Sequence, residues 1–144
     1  MSNWFDDLKK QLDRKPMWYG RKGEPLELEE YARRFEDMDY RRVGYDEIPA
    51  TRLCPATYLS TVWLGIDHSF GLSGPPIIFE TMRFSLERTE ESPMMPGRKY
   101  HQTFEFPYPE DPTERTEQVR YCTEEQASLG HKLILRLIQE HEMT

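Results

Sequence analysis

Two runs of β-branched and aromatic residues, separated by a segment rich in glycine and proline, set the frame for this chain. Tyr58–Ile66 (YLSTVWLGI) and Ile77–Phe84 (IIFETMRF) each read as a strand. The intervening Asp67–Pro76 (DHSFGLSGPP) reads as a loop. The simplest arrangement is antiparallel pairing across that loop. Apolar alternation then places Val62, Leu64 and Ile66 on one face with Ile77 and Phe79. Thr61 and Trp63 take the other face with Ile78, Glu80 and Met82, so Trp63 and Glu80 are expected as near neighbours.

The rest of the chain supplies partners for that pair. Trp4, Phe5, Leu8 and Leu12 recur at helical spacing, predicting a short helix over Asn3–Asp13 that Pro16 ends. Gly20 and Gly23 sit in a polar link between Met17–Tyr19 and Glu24–Leu26, the pattern of a tight hairpin. Leu28, Tyr31, Ala32 and Phe35 make a buried stripe on a helix from about Leu26 to Asp37. Arg41–Ile48 alternates as a strand, and Gln118–Cys122 is a second short one. The last helix starts at Thr123, whose spacing to Gln126 is that of a capping box. Ala127, Leu133, Ile134, Leu137 and Ile138 form its apolar face. Gly130 inside it weakens the helix, which suggests close approach to the sheet.

Pro93, Pro96, Pro107, Pro109 and Pro112 fall between Ser85 and Thr116, so this stretch reads as an excursion from the sheet, with a short strand at Tyr100–Phe106. The expected fold is α+β: an antiparallel β-meander of about four strands with N-terminal and C-terminal helices packed on it. It forms a single domain over 1–144 with a Pro-rich insert at about 85–116.

The formal net charge of −7 disfavours general nucleic-acid binding, which needs a basic surface; it serves solubility, and it permits an acidic protein that docks on a basic partner. Cys54 and Cys122 make no CxxC pair, so reduced thiols are the default. No apolar run approaches a membrane span, and the N-terminus has no hydrophobic signal core. These features point to a cytoplasmic protein without a membrane partner.

The second face of the central strand pair draws attention because a one-sided sheet is polar on its outside. Trp63, Ile78 and Met82 surround the carboxylate of Glu80 there. Two readings stand. Either helices cover both faces, leaving Glu80 bonded internally, or the face is a pocket or partner surface with Glu80 as acceptor. The loop adds Asp67, His68 and Phe70, with Gly71 and Gly74 exposing backbone. Asp67, His68, Glu80 and His131 match no metal-ligand spacing, and Asp67 is read as a turn cap. Neither a P-loop nor a serine elbow nor a Cys–His signature is present, so no catalytic residue, metal or cofactor is assigned. Met94–Met95 reads as an exposed docking tip or as a pair tucked into the core.

The run Ser60–Phe84, STVWLGIDHSFGLSGPPIIFETMRF, resembles a group of short phage and prophage proteins. The matching segments here are Tyr31–Asp37, Ser60–His68, Pro75–Met82 and Tyr121–His131. Gln126 stands where that pattern has Glu, and the N-terminal helix and the 85–116 insert look like additions. The resemblance implies a phage-encoded protein in the cytoplasm of a bacterial host, and supplies no activity to carry over.

Three functions follow. The first is a non-enzymatic accessory protein that binds a host or phage protein, in counter-defence or host takeover. The second is a binder of a small nucleotide signal through Trp63, Asp67, His68, Phe70 and Glu80, with its site at a homodimer interface. The third is a metal-assisted hydrolase using Asp67, His68 and Glu80.

Overall fold

The computed structural model describes residues 3–4, 17–69 and 74–142. Apart from Asn3 and Trp4, the helix expected over Asn3–Asp13 lies outside them, as does Phe70. The described chain begins with a small antiparallel ribbon, β1 (Trp18–Tyr19) on β2 (Pro25–Leu26). Two short helices follow, α1 (Leu28–Phe35) and α2 (Met38–Arg41). Asp37 separates them, and its carboxylate accepts from the backbone N–H groups of Asp39 and Tyr40.

The main sheet is a meander in the order β3 (Arg42–Ile48), β4 (Thr57–Trp63), β5 (Phe79–Glu91) and β6 (Lys99–Phe104). A small ribbon, β7 (Phe106–Tyr108) with β8 (Asp111–Thr116), leads into β9 (Gln118–Tyr121), which pairs with the start of β5 beside β6. The chain then enters α3 (Glu124–Glu142), which packs across one face of the sheet. The α+β class and the antiparallel meander match the sequence reading.

The excursion read over Ser85–Thr116 needs correction. β5 runs on to Glu91 and pairs with β6, so most of this stretch is strand. Its prolines fall where no ladder needs their N–H. Pro93 and Pro96 occupy the β5–β6 hairpin tip, Pro109 the β7–β8 turn, and Pro107 and Pro112 the two-stranded ribbon. At the tip Met94 is 89% exposed, so of the two readings the exposed one holds.

Alternation along β4 and β5 makes the faces explicit. Thr57, Leu59, Thr61 and Trp63 pair with Ser85, Arg83, Thr81 and Phe79, and all eight are buried under α3 and the N-terminal tyrosines. α3 meets them with Ala127, His131, Ile134, Leu137 and Ile138, a helical stripe. Leu133, placed on that stripe from the sequence, is instead 44% exposed. One apolar cluster gathers Ile48, Leu59, Phe106, Ile134 and Ile138. A second gathers Trp63, Ile78, Phe79 and Ala127, with Tyr31 and Tyr40 packed against them. Between the clusters runs a polar band of Thr61, Thr81 and His131.

Candidate functional site

The pairing of Trp63 with Glu80 fails by one residue. Trp63 stands opposite Phe79, and Val62 stands opposite Glu80. Trp63 and Glu80 therefore lie on opposite faces. The indole is fully buried, with Tyr40 edge-on at 5.0 Å and Tyr31 at 5.7 Å between ring centroids. Its Nε1–H donates to the Tyr19 carbonyl at 2.8 Å. Trp63 is thus a core residue with its one polar atom satisfied. Glu80 accepts from Arg120 Nε at 2.9 Å across the β5–β9 pair.

The loop residues also have structural employment. Asp67 Oδ1 accepts from the N–H groups of Ser69 and Ile77, both at 2.9 Å, and Oδ2 accepts from the Ser69 hydroxyl at 2.8 Å. One carboxylate closes both ends of the loop, the turn-capping role expected of it. His68 Nδ1 donates to the Ile66 carbonyl at 2.8 Å. The structure does not bring Asp67, His68, Glu80 and His131 together, because His131 is held by Asp46 and Glu80 by Arg120. Among the described residues no group of three His, Cys, Asp or Glu side chains is placed to hold a metal. Cys54 and Cys122 are free thiols.

Two constellations that sequence reasoning missed stand out. The first is on the outer face of the sheet, the side away from α3. Alternation directs Tyr45 and Glu47 of β3, Tyr58, Ser60 and Val62 of β4, and Met82 and Phe84 of β5 outward. Their rings form a ladder. Tyr45 lies 5.4 Å from Tyr58, which stacks on Phe84 at 5.2 Å and takes His101 of β6 edge-on at 5.5 Å. The Arg42 guanidinium caps the Tyr45 ring at 4.8 Å. Burial among these rings pushes the Tyr58 hydroxyl pKa upward, with Tyr45 adding to it. The sheet contacts of α3 come through its inward stripe, and Tyr40 of α2 packs on Trp63 on that same inner face.

The second is the polar band beneath. His131 Nε2 lies 2.7 Å from Asp46 Oδ2, and Nδ1 lies 2.7 Å from Thr61 Oγ1. Thr61 is 2.5 Å from Thr81, which is 3.1 Å from the Tyr121 hydroxyl. Carboxylate, imidazole and hydroxyl follow one another as in a nucleophilic triad. Here the hydroxyl of Thr61 is fully buried, so no substrate carbonyl reaches it. Two glycines make room for the chain of groups. A Cβ on Gly44 would meet the His131 ring at 2.8 Å, and one on Gly130 would collide with the Tyr121 ring.

Deeper along β5, Arg83 is 1% exposed and donates to Thr57 Oγ1, to the Glu105 carbonyl and, at 2.7 Å, to Glu142 near the end of α3. Glu142 also accepts from Arg115. A cleft of about 480 Å3 lies where α3 begins, lined by Arg21, Pro75, Pro76 and Cys122 among others. Arg21 there is already paired with Glu124.

No helix among the described residues is long and apolar enough to cross a membrane. Compared with known proteins, the chain matches no protein-family model, no curated protein and no solved structure.

Proposed function

We propose that this protein acts by binding a basic protein surface through the outer face of its sheet. The observation that carries the reading is the Tyr45–Tyr58–Phe84–His101 ladder, an aromatic surface on the face away from α3. Aromatic rings on a rigid sheet give large contact area at low entropic cost, and their faces accept guanidinium and ammonium groups. Charge specifies the partner. The chain carries a net −7, and the segment from Ser85 to Gln118, which holds the hairpin beside the ladder, has eight acidic residues against four basic ones. A partner presenting arginine or lysine around an apolar centre complements both features. The resemblance of Ser60–Phe84 to short phage and prophage proteins supports a phage-encoded accessory role, with the partner a host or phage protein.

The test is a comparison of captures from bacterial lysate by the wild-type chain and by Tyr45→Glu and Phe84→Glu variants, checked for folding by circular dichroism. The expected result is a basic protein retained by the wild type, weakened at least tenfold by either substitution. Its affinity, measured again with the purified partner, falls as salt is raised. Identical captures by wild type and variants, or a bound nucleotide in place of a protein, would overturn the reading.

A further inference from the structure

We propose that the hydrogen-bond chain Asp46–His131–Thr61–Thr81–Tyr121 couples protonation of His131, beside β3, to the hydroxyl of Tyr121 on β9. The effect crosses the sheet through β4 and β5. Donor counting fixes the polarity while the ring is neutral. The Asp46 carboxylate only accepts, so Nε2 carries the proton and donates to it. Nδ1 then holds a lone pair and accepts from the Thr61 hydroxyl. Thr61 has used its hydrogen, so it accepts from Thr81, and Thr81 accepts from the Tyr121 phenol. In this state every group of the chain is satisfied.

Protonation at Nδ1 turns that acceptor into a donor. Thr61 now receives at its oxygen and rotates its own hydrogen toward Thr81. Thr81 rotates in turn toward the Tyr121 oxygen. The phenolic hydrogen loses its acceptor and must swing away, at the edge where Gly130 of α3 lies against the ring. Neither threonine hydroxyl has another polar partner among the described contacts, so neither turns alone. The reversal is concerted, as expected of a buried chain in which each bond polarises the next.

The surroundings leave the ring's charge to this chain. Asp46 faces it from β3, with a side chain 46% exposed. Thr61 and Thr81 face it from β4 and β5. One turn away on α3 itself, Ala127, Ser128, Ile134 and Leu135 carry no charge. Arg83, the next inward residue on β5, is engaged by Glu142.

The test is NMR of the full chain with labelled histidine and tyrosine, followed between about pH 5 and 8 where histidines change charge. The expected result is an Nε2–H tautomer for the neutral ring, and Tyr121 ring signals that move with the same midpoint as those of His131. In Thr81→Val, which preserves shape and cuts the chain, the His131 signals still move across this range and those of Tyr121 stop following. In Tyr121→Phe the ring at position 121 likewise stops following. An Nδ1–H tautomer, a wild-type Tyr121 that ignores His131, or a ring that follows equally in either variant would overturn the proposal. None of these outcomes depends on whether the outer face binds a partner.

Discussion

Gly130 sets two residue-scale effects against each other. In an exposed helix interior, replacing glycine with alanine gains about 1 kcal/mol. Here the new methyl group would run into the Tyr121 ring, and overpacking a well-filled site costs about 1–3 kcal/mol. The packing term wins, so Gly130→Ala lowers the urea midpoint. The same substitution made in a Tyr121→Ala background raises the midpoint relative to Tyr121→Ala alone. A double-mutant cycle reads this sign reversal directly. The sequence hinted at half of it, since a glycine in mid-helix suggested close approach to the sheet. It did not name the ring, because Tyr121 reaches Gly130 only once β9 has paired with β5. The matching role of Gly44 was not legible at all. A glycine in a strand looks like a weakness until His131 is known to lie against it.

At the scale of elements, the caps and the apolar stripes were readable and the register was not. Thr123 and Gln126 close a reciprocal capping box, the hydroxyl accepting from the Gln126 N–H at 3.1 Å and the amide oxygen accepting from the Thr123 N–H at 3.3 Å. Thr123→Ala is expected to cost about 1 kcal/mol, measured by thermal or urea unfolding. A box of this kind involves residues three apart and so shows in the sequence. Register involves residues on different strands. The rule that apolar residues face inward misplaced β5, because its inward row includes Thr81, Arg83 and Ser85 while Met82 and Phe84 face out. Each inward polar group has a partner contributed from elsewhere in the chain or, at the irregularity after Phe84, from its own strand. Thr81 has Thr61 and Tyr121, Arg83 has Thr57 and Glu142, and Ser85 accepts from the N–H groups of Glu87 and Arg88. Burial of polar groups is tolerable when they are satisfied, and no window of local sequence reveals that.

For the whole molecule, the sheet has two unlike faces. The inner one is closed by α3 and cross-linked by hydrogen bonds, and the outer one carries rings. The candidate site read from the sequence lay on neither as a unit, since Trp63 belongs to the core and Glu80 to the outer row. The outer ladder was recoverable only from the correct register, which brings Tyr58 opposite Phe84. The ion pair between Arg83 and Glu142 ties β5 to the last turn of α3. Glu142, followed by Met143 and Thr144 in the sequence, neutralises a cation 1% exposed. Trimming the last three residues would strand that cation without its counter-charge, at a cost of about 3 kcal/mol or more. A carboxypeptidase ladder followed by differential scanning fluorimetry should therefore fall abruptly when Glu142 is lost. Extending the chain with a fused tag should leave the melting point nearly where it was.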